Sequence, residues 1–160
     1  MAMKALAVAL IVAGGLASGG AGAQGREETM VAPHFVVLAH GSGSLALRAA
    51  EIATVWYLPA AAEKSSQIRI TSLALTEPKT LTGSDADALW ERFHSGPLAA
   101  EFVFASHMQG LLAIPRDQIR TAFYSEQGGA PQLRLVYDGD PSGKTVTGEE
   151  ASRLWATLTK

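Results

Sequence analysis

Two stretches of this chain match each other, and that repetition constrains the fold more than any other feature of the sequence. With a shift of 67 residues, Phe35, Val36 and His40 fall on Phe102, Val103 and His107. Gly43, Leu45 and Ala46 fall on Gly110, Leu112 and Ala113, and Ile52, Thr54 and Tyr57 fall on Ile119, Thr121 and Tyr124. After a loop shorter by two residues the shift becomes 65. Arg69 then meets Arg134, and Thr80, Thr82 and Gly83 meet Thr145, Thr147 and Gly148. Ala86, Leu89 and Trp90 meet Ala151, Leu154 and Trp155. An alanine-rich chain yields chance alanine matches, but rarely Gly, Ala, Leu and Trp at the same offsets twice.

Each stretch also resolves ambiguities in the other. Leu45–Leu58 has the composition of a helix. Its counterpart, Leu112–Ser125, carries Pro115 in its interior, where a helix would lose a hydrogen bond and clash. The shared solution is strand, tight turn (Arg48–Glu51 or Pro115–Gln118), strand. A first strand precedes it (His34–His40, Glu101–His107), and a further strand follows a loop (Gln67–Leu75, Gln132–Tyr137). A short Thr-x-Thr piece then leads into a helix. Thr82 and Thr147 stand three residues before Asp85 and Glu150, the spacing of a capping box. Beyond them, Ala86, Leu89, Trp90 and Phe93, and likewise Ala151, Leu154, Trp155 and Leu158, form one apolar stripe per helix. The expected fold is α+β: two tandem β-rich repeats, residues 34–94 and 101–160, of about four short strands and a C-terminal helix each. A unit of this size is marginal alone. The two are therefore expected to share a core or a sheet about a pseudo-two-fold axis.

The N-terminus reads as an export signal. Lys4 supplies a basic start, Ala5–Ala13 a short apolar run, and Ala21-Gly22-Ala23 a small-residue cleavage site. Residues 1–23 are therefore expected to be a signal peptide cut after Ala23, and residues 24–33 a flexible lead-in. The run is diluted by glycine after Ala13, short of the roughly 20 apolar residues of a spanning helix. No integral membrane segment is expected once the signal is removed. The chain has no cysteine, which excludes lipid attachment, thiol catalysis, thiolate metal sites and disulfides. Stability must come from an ordinary core, for which 48% hydrophobic residues suffice. With 13 basic and 15 acidic residues there is no basic excess to hold nucleic acid.

Candidate chemistry is sparse. Asp138, Asp140 and Ser142, with Gly143 at position six and Glu149 at position twelve, match the donor spacing of a calcium loop. The same residues also suit a solvated Asp-Gly turn. His40 and His107 hold matching places at strand ends, where two imidazoles facing each other would begin a zinc site. Arg69 and Arg134 match as an anion-binding pair or as the solvent face of a sheet. Ser42 and Ser44 beside His40 lack the strand–turn–helix elbow that a nucleophilic serine needs, and they read as turn residues. Trp90 and Trp155 read as core; Trp56 reads as core or as an exposed ligand platform, with core favoured because Phe123 replaces it in the second stretch.

No catalytic set emerges. The expectation is a non-enzymatic, periplasmic or secreted binding or interaction protein with a protein partner of that compartment and no cofactor. One alternative is a weak calcium- or small-ligand-binding protein using Asp138–Glu149. A second is a small enzyme with a site between the repeats, built from His40, His107 and carboxylates such as Glu51 or Asp117.

Overall fold

The apolar run Phe35–Ala39, with Val36 and Leu38 buried, gives β1 (Phe35–His40), which folds back on β2 (Gly43–Arg48) as a hairpin. This computed structural model describes residues 35–40, 42–126 and 128–160. The signal-peptide and lead-in readings, and His34, lie outside them. A 3₁₀ turn, Ala49–Glu51, leads to β3 (Ile52–Leu58), then β4 (Gln67–Ser72), β5 (Lys79–Thr82) and helix α1 (Ser84–His94). A second 3₁₀ turn, Pro97–Glu101, connects to β6 (Phe102–His107) and β7 (Gly110–Pro115). The 3₁₀ turn Arg116–Gln118 then precedes β8 (Ile119–Ser125), β9 (Gln132–Tyr137), β10 (Asp140–Thr147) and α2 (Glu149–Leu158).

The chain is thus a mixed α+β protein, with ten strands in three sheets and two helices among the described residues. Leu45–Leu58 is strand, 3₁₀ turn and strand, as the proline in its counterpart requires. Each stretch holds five strands, one more than expected, because the Thr-x-Thr pieces pair as full strands with β4 and β9. The capping boxes do not form. Thr82 and Thr147 are the last residues of strands, and the N-caps are Gly83 and Gly148, without a side-chain cap bond. At φ 65°, ψ −145° and φ 69°, ψ −148° these glycines hold a turn between strand and helix that a side chain resists. Their N–H groups donate to the Ser66 and Pro131 carbonyls instead.

All strand pairs are antiparallel. The order β5-β4-β3-β7-β6 forms a five-stranded sheet, β10-β9-β8 a three-stranded one, and β1-β2 a two-stranded one. The join in the larger sheet is β3 against β7, with Val55 opposite Ala113, Trp56 opposite Leu112 and Tyr57 opposite Leu111. This order is not that of a two-fold axis. The hairpin β6–β7 extends the sheet of the first stretch, whereas β1–β2 extends no sheet among the described residues.

Successive side chains of a strand point to opposite faces, so the five-stranded sheet serves two cores. Val55, Ala113 and Phe104 face one cluster with Val36, Leu47, Ile68, Ile70, Trp90 and Phe93. Trp56, Leu112 and Ala105 face the other, with Leu133, Leu135, Val146 and Leu154. Buried on both faces, β7 needs the unbroken apolar run Leu111–Pro115. Trp90 is buried in the first core. Trp155 is half-buried and stacks on Tyr124 at 5.4 Å. Among the described residues no helix is long and apolar enough to cross a membrane.

Candidate functional site

Close approach at two glycines creates a junction between the five- and three-stranded sheets. A Cβ on Gly110 would lie 2.2 Å from the Tyr57 carbonyl oxygen and 3.1 Å from Trp56 Nε1, so only glycine lets β7 start against β3. A Cβ on Gly139 would meet the Ala53 side chain at 3.0 Å and Thr54 Cγ2 at 3.1 Å, which sets the β9–β10 turn against β3. Between these contacts lies a cleft of about 420 Å³, within the roughly 300–1,000 Å³ of small-ligand sites.

Trp56 and Arg69, cross-strand neighbours on β3 and β4, form one wall. His107 and Met108 reach it from the β6–β7 turn, and Tyr137 and Asp140 from the β9–β10 turn. Met108 sits at φ 55°, uncommon for a residue with a side chain, and is 84% exposed. The Trp56 indole N–H is buried against Gly110 and has no hydrogen-bond partner among the described residues.

The charges are ordered by local bonds. Lys144 Nζ donates to His107 Nδ1 at 3.1 Å. Burial first, then the Lys144 charge, pushes the His107 pKa down, against an opposing pull from Asp140. The Asp140 carboxylate accepts from Ser142 Oγ at 2.5 Å and from Ser142 N at 3.0 Å, and the hydroxyl bond chiefly holds its pKa below the usual carboxylate range. The Tyr137 phenol is pushed up to about 12, mainly by burial and then by Asp140. At neutral pH the cleft therefore carries a guanidinium, a carboxylate, a neutral imidazole and a protonated phenol. That set binds polar groups of either sign. Within it His107 is engaged by Lys144 and Asp140 by Ser142.

The structure brings together only part of what the sequence suggested. Arg69, His107 and Asp140 share the cleft. His40 is exposed at the end of β1, and among the described residues it joins no group of three His, Asp or Glu side chains. Arg134 donates to the Ser142 carbonyl at 3.0 Å, within its own hairpin. Ser42 is an exposed turn residue.

The calcium-loop spacing is not realised as a loop. Asp138 is tied to Arg120 by two bonds of 2.5 and 2.9 Å, and Asp140 opens β10. Lys144–Thr147 then pair with Gln132–Leu135, so the chain runs away from the turn as a strand. Asp140 stands opposite Tyr137 and Thr147 opposite Gln132, so the end of β10 lies five β9 residues, roughly 16 Å, from Asp140 before Glu149 begins the helix. Among the described residues no three His, Asp or Glu side chains are grouped to hold a metal ion. Glu51 and Asp117 sit in the 3₁₀ turns, at the far ends of β2 and β7 from His40 and His107. Each hairpin thus separates its histidine from its carboxylate by the length of a six-residue strand, roughly 20 Å.

Trp56 entered the sequence reading as core ahead of a ligand platform, and Met108 and Tyr137 had no part in a site. Their signal was weak, because β-strand positions two apart in different strands converge only once register is known. Comparison with protein-family models, with curated proteins and with solved structures finds no match to this chain.

Proposed function

We propose that this protein is a non-enzymatic, exported interaction module, built from two copies of one unit of five strands and a helix. The observation that carries the interaction reading is the exposure of large apolar side chains at Phe35 (46%), Val37 (46%) and Phe123 (69%) on a chain with two well-filled cores. Isolated apolar groups on a surface are ordinary, but Phe35 and Val37, two apart on β1, share one face as a pair, which favours a partner there.

Matched details support the duplication. The order of elements is the same from β1 to α1 and from β6 to α2. The β3–β4 ladder is irregular between Ile52 and Thr54, and the β8–β9 ladder between their counterparts Ile119 and Thr121. Leu73 N donates to the Glu51 carbonyl, and its counterpart Asp138 N to that of Gln118. Tyr57 stacks on Trp90 at 4.9 Å, as Tyr124 does on Trp155. The basic, apolar and small-residue zones of residues 1–23 support export.

The test is crosslinking of the protein in its native compartment, with wild type and Phe123→Ser compared. Recovery of a specific complex, this chain itself included, that Phe123→Ser weakens is the expected result. No complex of any kind, together with turnover on a substrate panel, would contradict it. The cleft favours a second reading, capture of a small polar ligand by Arg69, Asp140 and His107. Loss of a ligand-induced rise in melting temperature in Arg69→Ala would support that reading.

A further inference from the structure

We infer that the partner of this module is a second copy of the same chain, joined head to tail by pairing β2 of one copy with the outer edge of β8 of the other. The inference rests on the duplication reading, because that reading supplies the template. Inside the chain, the second hairpin adds to the first sheet through β7 and β3, with Val55 opposite Ala113, Trp56 opposite Leu112 and Tyr57 opposite Leu111. The counterparts of β7 and β3 are β2 and β8. Carried over, the ladder sets Ala122 opposite Ala46, Phe123 opposite Leu45 and Tyr124 opposite Ser44. Among the described residues β2 pairs only with β1, and β8 only with β9.

The burial of matched residues differs in the direction this predicts. Ala113 is fully buried, whereas Ala46 is exposed. Phe102 is 2% exposed and its counterpart Phe35 is 46% exposed. Phe102 packs on Phe93 at 5.2 Å, and Phe104 on Trp90 at 5.8 Å. In the second copy of the unit the positions of Phe93 and Trp90 are Leu158 and Trp155, both only half-buried. Phe35 and Val37 of an incoming hairpin would cover them. Phe123 would be covered as Trp56 is. Three of the exposed large apolar residues are thus accounted for by one contact.

Gly43 adds an independent sign. Gly110 must be glycine because the Tyr57 carbonyl lies where its Cβ would be. Its counterpart Gly43 meets nothing nearer than the His40 carbonyl at 3.9 Å, so among the described residues nothing demands a glycine there. In the head-to-tail contact Gly43 faces the Tyr124 carbonyl of the next copy. Two like charges, Arg48 and Arg120, fall just beyond the ladder, and Asp138 already neutralises Arg120. Pairing of this kind is heterologous, so it propagates as an open chain or closes as a ring.

The chain has no cysteine, which makes a direct test clean. Sedimentation of the protein over a range of concentrations should show species larger than the monomer. Mixing Ala46→Cys with Ala122→Cys under oxidation should give a disulfide dimer more readily than either variant alone, because opposed residues in a ladder have Cβ atoms about 5 Å apart. Gly43→Val should melt as the wild type does, yet raise the dissociation constant by about tenfold or more. A protein that stays monomeric throughout overturns the inference. So does an assembly indifferent to Gly43→Val that gives no 46–122 crosslink. If a monomeric protein still captures a different partner through Phe123, the interaction reading stands and only the second copy is wrong. If it captures nothing, both fall.

Discussion

Gly43 and Gly110 occupy matched positions with opposite surroundings, and the contrast shows how a single residue reports on what lies beside it. Gly110→Ala places a methyl group 2.2 Å from a backbone oxygen, so β7 must move from β3. We expect a loss of about 1–3 kcal/mol, read by urea unfolding, the range for overpacking a tight contact. His107 makes a second prediction at this scale. Burial and Lys144 hold its pKa down, so as pH falls the unfolded chain takes up this proton first. Its contribution is therefore complete above the ordinary histidine value of about 6.5 and is lost as pH drops through it. Melting temperatures across that window should fall with pH in the wild type, and less steeply in His107→Gln. Tyr137 tests burial at the same junction. Its phenol, pushed up to about 12, should ionise last in an absorbance titration, and Tyr137→Phe should abolish that late step.

At the scale of elements, the two helices were legible from their apolar stripes, but the way they begin was not. Threonine three residues before an acid reads as a cap. The structure gives that threonine to a strand, because a Thr-x-Thr piece has an open ladder edge to pair with and local spacing cannot know this. We expect Gly83→Ala and Gly148→Ala to cost about 1–3 kcal/mol each, since alanine is strained at their dihedral angles. Thr82→Ala and Thr147→Ala should cost less than about 0.5 kcal/mol, as surface changes do. The reverse order in thermal unfolding would restore the cap. Proline in one stretch correctly overruled helix propensity in the other, because proline is a local constraint that no tertiary contact relieves. The acidic spacing at Asp138–Glu149 misled for the opposite reason. Donor spacing identifies a site only if the chain loops, and here Lys144–Thr147 run straight as β10. Calcium at millimolar concentration is accordingly expected to leave the melting temperature unchanged.

At the scale of the whole molecule, one hairpin received and, among the described residues, one left over give two unlike ends. That asymmetry was beyond the sequence, where matching stretches suggest equal partners about an axis. Whether the copies face each other or follow one another depends on which strand edges meet, and no single residue encodes that. The cleft at Trp56, Arg69 and Asp140 was equally hidden, since it exists only where the β6–β7 and β9–β10 turns reach the β3–β4 face. Phe93, fully buried and in edge contact with Phe102, ties the first helix to the second hairpin. Its replacement by alanine should cost about 3–5 kcal/mol, read by urea unfolding. The central claim is that an edge pairing made once inside the chain is available again between chains. Amide hydrogen exchange, followed at low and high protein concentration, tests it most directly. Amides in β3 and β7 should be protected at both, and those at the outer edges of β2 and β8 should exchange fast when dilute and slowly when concentrated. Edges that exchange fast at every concentration, or β3 and β7 amides as fast as those of β2 and β8 in the dilute protein, would contradict it.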